Sequence, residues 1–161
     1  MKASTVIFDL DGTLADIEAR RKFSTKEDGN LNWDKFFDPE NIKLDLPNIP
    51  VIKSFQALQS QGYRMIIFSG RSDSMKNVTI DWLERNQLFP DKILMRPSEK
   101  GEDGTDDRYT PDDVLKLSWM NQEFPGDKRE EILCIFDDRD KVVNMWREEG
   151  LTCFQVATGN F

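Results

Sequence analysis

Two aspartates, Asp9 and Asp11, stand two residues apart where an apolar segment, residues 4–10, gives way to Gly12. Side chains alternate across an extended strand, so both carboxylates face the same side if the backbone stays extended, and the glycine lets the chain turn away after them. Two acids in one small space are suited to acid–base work or to holding a cation. A strand that simply ends in an Asp-Gly turn has the same residues, so the pair alone does not distinguish a functional site from an ordinary turn.

Polar residues also follow two later apolar segments. Ser69-Gly70-Arg71 comes after residues 63–68, and Asp137-Asp138-Arg139 comes after residues 132–136. The carboxyl ends of parallel strands meet at one edge of a sheet, which would bring these residues to the first acidic pair. Carboxylates placed together repel one another unless they share a cation, and an oxygen-rich site without histidine or cysteine suits Mg²⁺ completed by water and phosphate. The pattern indicates phosphate chemistry.

Strand and helix patterns alternate along the chain, which predicts an α/β fold with a mostly parallel five-stranded sheet and helices on both faces. The predicted strands are residues 4–10, 63–68, 92–95, 132–136 and 152–157, and the predicted helices are residues 50–61, 72–86, 111–123 and 139–149. In the third of these helices, Val114, Leu117 and Met120 are spaced as a face that packs on the core. We expect a single domain, residues 1–161.

Residues 15–49 form a polar segment that is too long for an ordinary connection, so we interpret it as an insertion or lid with one short helix near residues 33–38. Its aromatic residues Trp33, Phe36 and Phe37 leave two interpretations open: a platform for one nucleic acid base, or a small core that docks the insertion. Residues 97–110, rich in charge and glycine, predict a mobile loop.

Composition limits the available chemistry. The 161 residues (18.8 kDa) contain no histidine, which excludes His triads and His metal sites. The net charge of -8 gives no general attraction for nucleic acid or an anionic membrane. No apolar run approaches the roughly 20 residues of a membrane span, so we expect no membrane contact and a cytoplasmic location. Cys134 and Cys153 lie in apolar segments and are expected to be buried free thiols.

These motifs resemble those of the haloacid dehalogenase (HAD) superfamily, whose members are mainly Mg²⁺-dependent phosphohydrolases. The resemblance is carried by Asp9-Leu10-Asp11-Gly12-Thr13-Leu14, by Ser69, by a lysine that opens a later helix, and by Asp137-Asp138. It implies a three-layer Rossmannoid fold with residues 15–49 as a cap after the first strand.

The HAD resemblance also implies a role for each motif residue. Asp9 would be the nucleophile that forms an aspartyl-phosphate, Asp11 the acid and base, and Ser69 a phosphate ligand. Lys116 would neutralise charge; we prefer it to Lys92 and Lys100 because Asp113-Val114-Leu115-Lys116 resembles the helix opening of close relatives. The Mg²⁺ ligands would be Asp9, Asp11 through its carbonyl, Asp137 and Asp138. In these roles Asp9 must stay ionised, and Asp11 must be able to hold a proton.

A narrower resemblance, to the phosphatase domain of bacteriophage polynucleotide kinase-phosphatases, is carried by residues 68–71, 137–139, 142–147 and 155–161. These proteins remove 3′-phosphates from nucleic acid ends. The resemblance implies phosphate or nucleotide contacts from Arg20, Arg71 and Arg96, since guanidinium groups bind phosphate oxygens in pairs. We also expect Thr13 and Gly70 to contact the substrate. The alternatives are a surface position for Arg20 and an ion pair with acids of the following loop for Arg96, while Arg139 is expected to be structural.

The expected substrate is therefore a phosphorylated nucleotide or nucleic acid 3′ end. No Walker A sequence, Gly-x-x-x-x-Gly-Lys-Ser/Thr, occurs in these residues, so the chain is either a stand-alone phosphatase or part of something longer, and a kinase or ligase partner would be supplied separately. Two alternatives stay open: a small-molecule phosphatase acting on nucleoside monophosphates, and an inactive HAD-like binding module. The intact acidic motifs argue against the second.

Overall fold

Strands and helices alternate along residues 2–161, the part of the chain that the computed structural model describes. In chain order the elements are β1 (Thr5–Phe8), β2 (Ala15–Asp16), α1 (Glu18–Ser24), α2 (Trp33–Phe36), α3 (Pro39–Ile42), β3 (Leu46–Pro47), α4 (Ile49–Ser60), β4 (Arg64–Ser72), α5 (Lys76–Arg85), β5 (Lys92–Arg96), α6 (Asp112–Glu123), β6 (Ile132–Asp137), α7 (Asp140–Glu148) and β7 (Cys153–Gln155). Among these helices, none combines the length and the apolar character needed to span a bilayer.

The main sheet has the strand order β5-β4-β1-β6-β7, and every neighbouring pair in it is parallel. The central strand β1 places Phe8 beside Ile67 of β4 and Phe136 of β6. The carboxyl ends of these three strands therefore meet at one edge, as the polar residues that follow them predict. The α/β prediction with a five-stranded parallel sheet is confirmed.

Helices cover both faces of this sheet because residues of each buried strand alternate between two cores. Val6 and Phe8 belong to the core that includes residues of α4 and α5, whereas Ile7 belongs to the core that includes residues of α6 and α7. Each core contains a fully buried tryptophan: Trp82 of α5 lies in the first and Trp146 of α7 lies in the second. The result is three layers with β1 at the centre.

The predicted inward face of α6 is correct at Met120, which is buried, and at Leu117, which packs against the core while partly buried, but it is wrong at Val114, which is 53% exposed. The other buried residues of this helix are Leu115, Lys116 and Trp119. Apolar spacing misleads here because the inward face carries a lysine in its middle, which a search for hydrophobic periodicity counts as a surface position. The rotation of the helix brings that lysine to the polar edge of the sheet.

The insertion contains more structure than the one helix predicted for it. The helix predicted near residues 33–38 is confirmed as α2, but α1, α3 and the short antiparallel pair of β2 with β3 were not predicted. The buried residues of α1 are Arg20 and Ser24. Because this helix is anchored by a charged side chain, it shows no apolar repeat that sequence inspection would recognise.

Cys134 and Cys153 are buried free thiols, as expected. Burial raises the pKa of Cys134, and burial together with the charge of Asp137 raises the pKa of Cys153 to about 12. Because the thiolate is the reactive form, neither cysteine is expected to react with iodoacetamide at pH 8 in the folded protein, and both are expected to react after denaturation. Mass spectrometry of the alkylated protein checks this, and rapid labelling of the folded protein would contradict it.

Candidate active site

Asp9 follows β1 directly and is held by two side-chain donors from different parts of the chain. The Lys116 Nζ donates to Asp9 Oδ1 at 2.7 Å, and the Thr13 Oγ1 donates to Asp9 Oδ2 at 3.0 Å. The same ammonium also donates to Asp137 Oδ2 at 2.9 Å. Lys116 thus links the ends of β1 and β6.

Of the three lysines considered, Lys116 is the one that the structure brings to Asp9. Its side chain is 3% exposed. Burial would lower its pKa, but the carboxylates of Asp137 and Asp9 outweigh that effect and raise it, so the ammonium stays charged. Lys92 instead pairs with Glu123 at 2.6 Å, and Lys100 is exposed in the loop after β5.

Three buried carboxylates, those of Asp9, Asp137 and Asp138, each place one oxygen within 4.8 Å of the other two. Burial raises the pKa of Asp9 well above its usual value, with Lys116 opposing this effect and the charges of Asp137 and Asp138 adding to it. Burial and the charge of Asp137 likewise raise the pKa of Asp138 to about 6. One ammonium does not balance three carboxylates, and an all-oxygen donor set of this kind fits a hard divalent cation such as Mg²⁺.

Asp11 lies apart from this cluster because two arginines hold it. Arg71 donates to both Asp11 oxygens, from Nε at 3.0 and 3.1 Å and from Nη2 to Oδ1 at 2.5 Å. Arg20 Nη2 donates to the same Oδ1 at 2.7 Å. Burial alone would raise the pKa of Asp11, but the guanidinium groups of Arg71 and Arg20 outweigh it and lower the pKa to about 2.

These pKa directions are the reverse of the expectation that Asp9 stays ionised while Asp11 holds a proton. The physical reason is the distribution of cations among the described residues: Asp11 faces two guanidinium groups, whereas Asp9 shares one ammonium with two further carboxylates. A divalent cation bound among those carboxylates would favour the charged form of Asp9, which is the form that the expected nucleophile requires.

Asp45, a residue that the sequence reasoning missed, completes the arginine cluster from the insertion. It accepts from Arg20 Nε at 2.9 Å and from Arg71 Nη2 at 3.0 Å, and its backbone carbonyl accepts from Trp82 Nε1 at 2.8 Å. Burial raises the pKa of Asp45 to about 6, against the lowering effect of Arg20. No local motif marks this residue; the only signal is that two buried arginines require more than one carboxylate.

The structure does not place Arg20 and Arg71 where the predicted substrate contacts would need them. Both side chains are 0% exposed, and their donors are taken up by Asp11, Asp45, Thr79 and the carbonyl of Phe36. This burial disagrees with the surface position considered for Arg20. It also disagrees with a direct phosphate contact by either arginine. Both arginines instead fix Asp11.

Ser69, Gly70 and Arg96 lie at the carboxyl ends of β4 and β5. The Ser69 hydroxyl is buried and accepts from the Arg71 backbone N–H at 3.2 Å, while Gly70 lines the cavity described below. Arg96 donates to the carbonyls of Gly70 at 3.1 Å and Thr110 at 2.6 Å and pairs with the Asp112 carboxylate. Arg96 therefore holds the loop before α6. Its ion pair is with Asp112, the first residue of α6, so it resembles the alternative of an ion pair with acids of the following loop.

The segment after β7 packs against Asp138, one of the proposed metal ligands. Gly159 accepts from the Asp140 N–H at 2.7 Å, and Arg139 Nε donates to the Phe161 carbonyl at 2.6 Å. A Cβ on Gly159 would lie 2.2 Å from the Asp138 carbonyl oxygen. This close approach requires glycine. Arg139 also pairs with Asp112 at 2.9 Å, which agrees with the structural role expected for it.

Gly159→Ala is expected to displace the Asp138 loop, because the added methyl group meets backbone atoms that cannot rotate away. We expect a loss of about 1–3 kcal/mol in the free energy of unfolding and a higher Mg²⁺ concentration for half-maximal activity. Urea unfolding and a Mg²⁺ titration measure the two effects. Asn160→Ala, at the exposed neighbouring position, is the control. Wild-type values for Gly159→Ala would show that the tail does not position this loop.

A cavity of about 860 Å³ lies against the acidic cluster. Its wall includes four groups of residues: the ends of β1 and β6, the ends of β4 and β5, the segment that opens α6, and the insertion. The insertion contributes Ile17, Arg21, Leu31, Trp33, Phe36 and Phe37. Phe36 is buried in the core, as a docking interpretation requires, while Trp33 is 59% exposed. The volume lies within the ~300–1,000 Å³ typical of small-ligand sites.

Comparison with known proteins agrees with this architecture. A chain of a solved Pnkp1/Rnl/Hen1 RNA repair complex is 32% identical, with a TM-score of 0.75 and coverage of 98% of this chain and 43% of that one. A candidate bifunctional polynucleotide kinase/RNA ligase of Autographa californica nuclear polyhedrosis virus is 30% identical over 155 residues, which are 94% of this chain and 19% of the viral protein. This chain therefore spans less than half the length of either relative.

More distant structures share the fold. The D,D-heptose 1,7-bisphosphate phosphatase from B. bronchiseptica, solved with magnesium and phosphate, is 16% identical, with a TM-score of 0.57 and coverage of 99% of this chain and 83% of that one. The model of the polynucleotide kinase PNKP phosphatase domain matches residues 3–161, nearly the whole chain. The chain belongs to this family of HAD-type phosphatase domains.

Proposed function

We propose that this domain is a Mg²⁺-dependent phosphomonoesterase that removes 3′-phosphates from nucleic acid ends through an aspartyl-phosphate on Asp9. The observation that carries the proposal is the shared contact of the buried Lys116 ammonium with Asp9 and Asp137, beside Asp138. Phosphoryl transfer depends mainly on positioning and charge neutralisation, and this arrangement supplies an anchored carboxylate beside a fixed cation.

Asp9, Asp137 and Asp138 would hold the Mg²⁺, with the Asp11 carbonyl as a further ligand implied by the HAD resemblance. When bound, the cation would supply charge neutralisation at the transferring phosphoryl group. Thr13 and Lys116 hold the two Asp9 oxygens, so the carboxylate has a defined orientation before substrate arrives. Lys116 also offsets the negative charge that the substrate phosphate brings into a buried acidic site.

The reaction would proceed in two displacements at phosphorus. An Asp9 oxygen forms a bond to phosphorus as the bond to the ribose 3′ oxygen breaks, and Asp11 gives a proton to that leaving oxygen. Water then attacks the phosphorus of the aspartyl-phosphate, Asp11 takes the proton from that water, and Asp9 is released with inorganic phosphate. Arg20 and Arg71 stabilise the charged form of Asp11, which is the form that can accept the proton of the attacking water in the second displacement.

The substrate class and partners are inferred from the relatives. One of them belongs to an RNA repair complex and the other is described as a kinase and ligase. We propose that the present domain prepares 3′ ends for a kinase and a ligase activity, carried on the same chain or supplied separately. Two buried free thiols are compatible with the reducing cytoplasm, which we propose as the compartment.

The test compares phosphate release from a 3′-phosphorylated oligonucleotide, a nucleoside 3′-monophosphate and a nucleoside 5′-monophosphate, each with Mg²⁺ and with EDTA. We expect the 3′-phosphorylated oligonucleotide to be the best substrate, and EDTA to abolish its hydrolysis. A preference for the free 5′-nucleotide would instead favour the small-molecule alternative. Failure to hydrolyse any of the three would favour a binding module.

A further inference from the structure

Arg21 differs from the other cations that line the cavity because it has no acidic partner among the residues that the structure describes. Arg96 and Arg139 both pair with Asp112, and Arg108 pairs with Asp106 at 2.8 Å. Within residues 2–161, no carboxylate oxygen lies within 4.0 Å of the Arg21 guanidinium. In a protein of net charge -8, an arginine left unpaired beside an acidic centre has its donors available for an anionic ligand.

Phe161 supports this arginine against the cavity wall. The Arg21 Cζ lies 4.1 Å from the centroid of the Phe161 ring, and both residues line the cavity that contains Asp9. Stacking on an aromatic face restrains the plane of a guanidinium group without using its N–H donors. Arg21 can therefore present a paired set of donors to a phosphate group while its orientation stays fixed.

Trp33 provides an aromatic surface in the same cavity and from the same insertion. Its ring lies nearly parallel to that of Phe37, with centroids 5.9 Å apart and an interplanar angle of 15°, and it meets Phe36 edge-on at 88°. Trp33 nevertheless remains 59% exposed, so it is supported by its neighbours without being buried among them. An exposed, supported indole is suited to stacking on a flat aromatic group such as a nucleobase.

We propose that Arg21 and Trp33 form a binding subsite for the terminal residues of an oligonucleotide. Trp33 stacks on the base of the 3′-terminal nucleotide, and Arg21 binds the phosphodiester that joins this nucleotide to the preceding one. The inference rests on the proposed function, since it places the 3′-phosphate at Asp9. It deepens that function by making the domain selective for chain ends over free mononucleotides, which have no phosphodiester for Arg21 to bind.

Three substrates separate the two contacts: a 3′-phosphorylated dinucleotide, a nucleoside 3′-monophosphate, and the same dinucleotide with an abasic terminal sugar. Arg21→Gln is expected to lower kcat/KM about tenfold on the dinucleotide and to leave the mononucleotide unchanged. Trp33→Ala is expected to lower kcat/KM about tenfold on both substrates that carry a terminal base, and to leave the abasic substrate unchanged. Arg21→Lys should recover part of the loss, because it keeps the charge.

Salt dependence provides a readout that a structural role for Arg21 would not change. For the dinucleotide, the slope of log(kcat/KM) against log salt concentration is expected to fall in magnitude by about 0.7 in Arg21→Gln, the value for one phosphate contact on a single strand. Lys22→Gln and Phe23→Ala are matched controls, because both residues are exposed in α1 and neither lines the cavity. Thermal unfolding of each variant verifies that its fold is intact.

The outcomes for the subsite and for the phosphatase assignment are distinct. If the wild-type protein hydrolyses the 3′-phosphorylated dinucleotide but Arg21→Gln and Trp33→Ala lose nothing, or lose equally on all three substrates, the subsite is overturned and the phosphatase assignment stands. If the wild-type protein releases phosphate from none of the three, the proposed function is overturned and the subsite with it.

Discussion

The Asp9→Asn variant is expected to lose at least about a thousandfold in phosphate release from a 3′-phosphorylated oligonucleotide, as for the removal of other enzymatic nucleophiles. The amide cannot form the acyl-phosphate, and it removes one of the three carboxylates proposed to hold Mg²⁺. The fold should persist, since the side-chain oxygen can still accept from Lys116 and the new amide can donate to the Thr13 hydroxyl.

Circular dichroism and thermal unfolding of Asp9→Asn test that persistence. Asp34→Asn is the matched control, because this exposed aspartate in α2 lies outside the cavity and should keep wild-type activity. Appreciable turnover by folded Asp9→Asn would exclude a covalent intermediate on this residue. It would leave direct attack by water as the mechanism to consider.

Replacing Arg71 is expected to have the second largest effect, because this side chain binds Asp11, Asp45 and Thr79 at once. Arg71→Ala leaves Asp45 buried with fewer partners and should destabilise the fold by about 3–5 kcal/mol. Arg71→Lys keeps one charge but cannot reproduce the fork, so we expect a smaller loss of stability with kcat still reduced by more than about tenfold. KM should stay near the wild-type value.

The split between kcat and KM distinguishes a positioning role from the substrate contact first expected for Arg71. A residue that fixes Asp11 affects proton transfer, whereas a phosphate ligand also affects binding. Arg85→Lys, on the exposed surface of α5, is the control for the chemical change alone. A large rise in KM with unchanged kcat in Arg71→Lys would return the arginine to the role of substrate ligand.

The sequence was sufficient to predict the sheet and the edge at which the site lies. Buried parallel strands have strong apolar patterns, and each strand that carries the site ends in polar residues at Asp9, Ser69 or Asp137. These local patterns give the order of the elements. Because the carboxyl ends of parallel strands lie at one edge of the sheet, the polar residues that follow the strands are expected to lie close together. The structure places Asp9, Lys116 and the Asp137-Asp138 pair together as that reasoning expects.

What the sequence did not predict depends on charged residues that are buried. Lys116 on the inward face of α6 shifted the predicted core face, and Arg20 anchors a helix that has no apolar repeat. Asp45 lies 25 residues beyond its partner Arg20, a separation for which no spacing rule exists. Ion pairing between distant residues is a tertiary property. For this reason, arginines predicted to face the substrate are found behind Asp11 instead.

A single-turnover reaction on a 3′-phosphorylated oligonucleotide with a radiolabelled terminal phosphate tests the central claim most directly. The reaction is quenched with acid, the protein is digested, and the labelled peptide is identified. We expect Mg²⁺-dependent label on the peptide that contains Asp9, decaying as free phosphate appears, and no label in Asp9→Asn. Release of free phosphate with no protein-bound label at any time, or label on a peptide without Asp9, would contradict the account.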